Sequence, residues 1–180
     1  LRAGDWTRQG PAVIREEIPG KGMDLRVWTD PSDPTSLVNL LDGPDDELAP
    51  NVSDDGKWLA YVSNYSGIDE VFVTAFPEPD ARYQISMKGG HSPVWAPDGR
   101  TLYYFQGSRM IAVDIETEPN FHVTGREELF DGEYVHYRWS RQFDIHPSGE
   151  YFVMIRNPPR GNVEVITRWF DEVRRLTSGD

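Results

Sequence analysis

The 180-residue chain contains no cysteine, which removes disulfides, thiolate zinc sites, iron–sulfur clusters and cysteine nucleophiles. Cations are scarce: 18 Lys and Arg stand against 30 Asp and Glu, a formal charge of −12. Neither a nucleic-acid backbone nor an anionic membrane surface is therefore expected as the main partner. No apolar run approaches the roughly 20 residues that span a bilayer, so direct membrane insertion is not expected. There is no G-x-S-x-G elbow, H-E-x-x-H pair, P-loop or kinase catalytic loop, so the chain reads as non-catalytic, with no cofactor. The start, Leu1-Arg2-Ala3-Gly4, has no initiator Met and does not form a signal peptide. The expectation is a piece of a longer protein.

Aromatic residues are plentiful, at 12% with 6 Trp and 8 Tyr, which sets the chain apart from disordered polymers. The 16 Gly and 14 Pro are spread along the length. Frequent turns between short apolar runs read as all-β. Self-similarity sets the architecture. Pro50-Asn51-Val52-Ser53-Asp54-Asp55-Gly56-Lys57-Trp58-Leu59 aligns with Pro93-Val94-Trp95-Ala96-Pro97-Asp98-Gly99-Arg100-Thr101-Leu102, and both with Phe143-Asp144-Ile145-His146-Pro147-Ser148-Gly149-Glu150-Tyr151-Phe152. An eroded copy, Trp6 to Ile14, keeps a Gly but no Asp before it.

The turn glycines Gly10, Gly56, Gly99 and Gly149 recur at intervals of 46, 43 and 50 residues, the length of a four-stranded propeller blade. Gly supplies φ > 0 for the turn, and Asp55 and Asp98 supply carboxylates for nearby backbone N–H groups. These are structural turns, because carboxylates on different blades cannot converge on one metal ion. In the second repeat the pattern predicts strands over 58–63, 70–76 and 83–86. In the third it predicts 102–105, 110–115 and an outer strand near 128–130. Val71 and Val73 alternate with Phe72 and Phe76, which predicts a strand buried on both faces. Trp169, Phe170, Val173 and Leu176 have helical spacing, so a short C-terminal helix is expected.

These motifs resemble the PD40 (WD40-like) repeat of TolB-type β-propellers. The stretches Asp69-Glu70-Val71-Phe72-Val73-Thr74-Ala75-Phe76-Pro77 and Arg168-Trp169-Phe170-Asp171-Glu172-Val173 are similar to the C-terminal propeller region of bacterial proteins that carry a Ser/Thr kinase domain. The resemblance implies an all-β fold of about four four-stranded antiparallel blades, approximately 5–48, 49–91, 92–141 and 142–170, within one partial propeller domain at 1–180. Such propellers usually have six or more blades, so the chain is either a self-contained four-bladed ring or, as expected here, an arc of a six- to eight-bladed one, with homodimerisation through exposed blade edges as a consequence of incompleteness. It also implies an extracytoplasmic location and a protein- or peptide-binding scaffold or sensor role in a larger bacterial protein. The alternative is the substrate-gating propeller of a prolyl-oligopeptidase-type serine peptidase.

Candidate contacts lie where one blade's outer strand leads into the next blade: 45–49, 88–92 and 132–142. The third connection, with Tyr137, Arg138, Trp139 and Arg141, combines aromatics with arginines, the composition of protein-recognition hot spots. Asp46, Glu47, His91 and His136 complete the candidate set. The competing reading packs Tyr137 and Trp139 between blades and pairs the arginines with carboxylates. His91, His122, His136 and His146 lack metal-ligand spacing, so no metal is expected.

Overall fold

A computed structural model describes residues 2–6, 10–30, 32–135 and 137–156; His136 and the expected helix at 169–176 lie outside them. The described residues form three four-stranded antiparallel sheets and one strand pair. The first sheet runs β1 (Arg2–Trp6), β2 (Ala12–Ile18), β3 (Gly22–Trp28) and β4 (Leu37–Leu41). The second runs β5 (Glu47–Val52), β6 (Trp58–Ser63), β7 (Glu70–Ala75) and β8 (Tyr83–Gln84). The third runs β9 (His91–Trp95), β10 (Thr101–Gln106), β11 (Arg109–Glu116) and β12 (His122–Asp131), followed by the pair β13 (Phe143–Ile145) and β14 (Phe152–Met154). Each four-stranded sheet is a simple meander in sequence order.

The predicted turns take the expected form. Gly56, Gly99 and Gly149 have φ of +69°, +68° and +75°, a conformation that costs glycine nothing. Asp55 Oδ1 accepts the Lys57 N–H at 3.1 Å, and Asp98 Oδ1 accepts that of Arg100 at 2.9 Å. In the last copy Ser148 stands where the Asp would be, and its Oγ accepts the Glu150 N–H at 3.3 Å. The hydroxyl preserves the turn without the charge. Two outer strands differ from expectation: β8 stops at Gln84 and not at 86, and β12, expected near 128–130, is ten residues long because it follows β11 along nearly its whole length with two register shifts.

The core is divided into slabs between sheets. Alternation along β6 and β7 sends Leu59, Tyr61, Phe72 and Phe76 toward Val13, Leu25 and Val27 of the first sheet. The intervening Ala60, Val62, Val71 and Val73 face Trp95, Leu102, Tyr104 and Ile111 of the third. The second sheet thus has a bulky face and a slender one. The third sheet's other side, with Val94, Phe105, Met110 and Phe130, packs on Phe143, Phe152 and Met154. Trp58, Tyr83 and Phe121 add an aromatic contact across the second interface, with Tyr83 stacked on Phe121 at 4.3 Å between ring centroids.

Polar links also join neighbouring inner strands. Asp5 Oδ2 accepts the Val52 N–H at 2.7 Å and the Asn51 amide at 2.9 Å. Asn51 Oδ1 in turn accepts the Trp95 N–H at 2.6 Å. Strand pairing makes Asp5 and Asn51 equivalent, each one residue before the partner of the second strand's Ala12 or Leu59. One side chain in each of the first two sheets therefore reaches the next sheet's backbone, a repeat the turn motif does not contain. At the corresponding place in β9, Val94 packs into the third slab instead.

This layered core predicts that Phe72→Ala lowers unfolding free energy by about 3–5 kcal/mol through the cavity it leaves. Val38→Ala on the exposed outer strand should change it by no more than about 0.5 kcal/mol. Equilibrium urea unfolding of the two variants measures the contrast.

Candidate functional site

A four-stranded meander places the turn between its second and third strands at the same end as the connection to the next sheet. The segments 19–21, 42–46, 64–69, 85–90, 107–108 and 132–142 therefore share one end of the molecule. Five large apolar side chains are exposed there: Tyr65 (63%), Ile68 (53%), Met87 (72%), Tyr137 (57%) and Trp139 (48%). The opposite end carries the Asp-Gly turns.

The long connection after β12 lies across this end. It starts with a bridge between Tyr134 and Arg156 and the Val135 N–H on the Ile155 carbonyl at 2.8 Å. It then makes a tight turn in which Tyr137 and Ser140 pair, leaving Arg138 and Trp139 at the two corners. Arg138 forms a bidentate contact with Asp69, Nε to Oδ2 at 2.5 Å and Nη2 to Oδ1 at 2.8 Å. Its Nη1 donates to Asp46 Oδ2 at 2.9 Å. The hydrogen bonds to Asp69, then those to Asp46, hold the guanidinium pKa above its ordinary value. Planar fork and carboxylate match geometrically, so this is among the stronger ion pairs at a surface. Ser92 Oγ adds a bond to the Ser140 carbonyl at 3.4 Å.

Asp46 is itself fixed from the first sheet. Its Oδ1 accepts the Met23 N–H at 3.0 Å, and its own N–H donates to Asn64 Oδ1 at 2.8 Å. Gly22 permits this approach: a Cβ there would lie 2.6 Å from Asp46 Oδ1, and its φ is +133°. Two hollows flank the Arg138 bridge. One, of about 350 Å³, is lined by Arg15, Glu17, Gly22, Met23, Asp46 and Trp139. The other, of about 440 Å³, has a glycine floor of Gly89, Gly90 and Gly107 beside Ile68 and His91, with Asp69 and Arg138 at its edge.

The predicted site residues separate into distinct roles. Asp46, Arg138 and Trp139 come together, and Tyr137 is exposed beside them. Arg138 is consumed by carboxylates, as the competing reading expected, whereas the two aromatics face solvent. Arg141 lies 3.9 Å from Asp144 at the distal side of the connection. The His91 ring stacks on Phe105, with its nitrogens 3.3 Å from Ser92 Oγ and the Gly107 carbonyl. Glu47 is not a surface residue; it is fully buried, with Oε1 3.5 Å from Ser63 Oγ and 3.9 Å from Arg82. Burial pushes its pKa up to about 7, against the pull of Arg82 and with help from Asp24 and Asp45. Sequence reasoning missed Asp69, Ile68 and Met87, since isolated residues in turns of another blade carry no signal of convergence.

No family model matches the chain, and no curated protein matches it. Among solved structures, TolB from Acinetobacter baumannii superposes with a TM-score of 0.60 at 15% identity, covering 92% of this chain and 39% of that one. A structure described as TolB from Agrobacterium tumefaciens gives 0.60 at 13% identity, covering 84% and 52%. The chain thus spans less than two thirds of either. The likeness is one of fold: the sheets are blades of a TolB-like β-propeller.

Two predictions follow from the ion pairs. Arg138→Ala should lower stability by about 1–2 kcal/mol, with Arg138→Lys restoring only part because an ammonium lacks the fork; hydrogen exchange at 132–142 should rise in both. For Glu47, the folded pKa near 7 lies above the ordinary 4.5. The folded state therefore holds a proton that the unfolded chain releases, and stability falls as pH rises from about 4.5 to 7. Glu47→Gln removes the ionisation, so its stability relative to the parent should improve by about 2–3 kcal/mol between pH 4 and pH 8. Urea titrations at both pH values give the difference.

Proposed function

We propose that this chain is a non-catalytic binding module, a rigid propeller face that engages a peptide or a segment of another protein within a larger bacterial protein. The observation that carries the reading is the gathering of Tyr65, Ile68, Met87, Tyr137 and Trp139, all exposed, at one end. Monomeric surfaces seldom group large apolar residues without a contact to make. Aromatic side chains supply contact area at little conformational cost, which suits recognition. The rigidity is provided beneath them: Arg138 secures the turn that presents Trp139, and Glu70 secures the segment that presents Met87. There the Ser86 hydroxyl donates to Glu70, and the Gly89 N–H donates to Glu70 Oε1 at 3.0 Å. A face organised before binding loses less entropy when it binds.

Panning a random peptide library against the intact chain tests this. Bound peptide should protect amides in 64–69, 85–90 and 132–142 from hydrogen exchange and leave the 53–57 and 96–100 turns unchanged. The Met87→Glu/Tyr137→Glu double variant, altered only at exposed positions, should weaken binding at least about tenfold. Protection at the opposite end, or no enriched peptide, overturns the reading.

A further inference from the structure

Resting on the peptide-binding reading, we propose that the partner is an extended basic segment whose two apolar side chains enter the hollows on either side of the Arg138 bridge, with a lysine or arginine lying over the bridge. The hollows are separate but share their boundary: Asp46 lines one, Asp69 the other, and the Arg138 guanidinium joins the two carboxylates. Each has an exposed apolar wall, Trp139 in the first and Ile68 in the second. In the second, Gly89 and Gly107 expose backbone with open space where a Cβ would stand, whereas Gly90 makes room for Ser86 and Val71 beneath. Two sockets across one ridge suit residues i and i+4 of a single extended strand, whose i, i+2 and i+4 side chains share one face, so that the side chain at i+2 lies over the ridge.

The preference for a cation follows from charge. Two carboxylates hold one guanidinium, so the ridge retains a net negative charge, and each carboxylate oxygen keeps a further acceptor position. Lys21 is engaged on Asp24 at 2.8 Å. Arg15, in the lining of the first hollow, and Lys88 add two positive charges to this end, outnumbered by Glu17, Asp42, Asp45 and Glu133. The chain as a whole carries −12, a field that draws in cations and repels acidic segments at ordinary ionic strength.

The test is a panel of short synthetic peptides with two Leu or Trp residues at varied spacing and Lys, Ser or Glu between them, titrated on the intact chain by anisotropy. The Lys peptides should bind at least about tenfold more tightly than the Glu peptides, with the gap narrowing at high salt. Trp139→Ala and Ile68→Asp should each weaken the best Lys peptide by about tenfold or more, while far-ultraviolet circular dichroism stays that of the parent. Tightest binding by Glu peptides overturns the basic partner, and loss in only one variant overturns the two-socket geometry; both outcomes leave a peptide-binding face intact. Failure of the whole panel, when library peptides still protect 64–69 and 132–142, likewise overturns this inference alone. If no library peptide binds either, the underlying reading falls with it. Sedimentation showing a dimer that Trp139→Ala dissociates would assign the face to a second copy and overturn the basic segment.

Discussion

The described part of the chain depends on sheets being covered by other sheets, the second and third on both sides. A β-sheet with two apolar faces cannot stand alone in water, and the second sheet is the clearest case. Leu59, Tyr61 and Phe72 leave on one side, Ala60, Val62 and Val73 on the other, and both sets are buried. The slender face of the second sheet meets the bulky Trp95, Leu102 and Tyr104 of the third, whereas the third sheet's other face sets Phe105 and Phe130 against Phe143 and Phe152; close packing is reached by a different fit at each interface. Stability in such an arrangement is mostly a sum of neighbour-to-neighbour interfaces. Asp5 and Asn51 add direction to that packing, because each reaches forward to the backbone of the following inner strand.

The same meander that builds the core separates the two ends. Asp-Gly turns, repeated with little change, close one end with hydrogen bonds that are satisfied within each turn. The other end has no repeated motif, so its connections differ in length and composition. There the longest connection is held over the blades by its bridge to Arg156, the Ser92 hydroxyl and, between carboxylates of two different turns, the Arg138 guanidinium. Apolar side chains that would be buried in a slab are left facing water at this end. A surface that is structurally fixed yet chemically unsatisfied is what a recognition face requires.

Charge is handled differently at the surface and inside. Arg138 with Asp46 and Asp69 is partly solvated, and its value lies in geometry, since a forked donor sets the orientation of the turn. Glu47 is the reverse case, a carboxyl without solvent that is more easily kept as a neutral acid. The nearby Arg82 spends its charge partly on the ring of Tyr65, 4.5 Å away, and sits 3.9 Å from Glu47. That carboxyl is expected to make the first interface of the molecule lose stability as pH rises from about 4.5 to 7.

The repeat spacing, the Asp-Gly turns and the alternation in β7 were legible along the chain because they are local: period, turn chemistry and side-chain direction are decided within a few residues. The same is true of the aromatic–arginine composition of the long connection. Burial could not be read for Glu47, which occupies a loop-like context of Asp45, Asp46 and Glu47 yet points into the interface, because strand entry decides which of three adjacent acids turns inward. Pairing of Arg138 with carboxylates was one of the two readings, but which carboxylates could not be read, since they lie 69 and 92 residues away and only the stacking of blades brings them together. Sequence by itself determined the architecture, through periodicity. Tertiary structure decided the face, since a site assembled from the ends of several blades exists only once their packing has set which side chains meet.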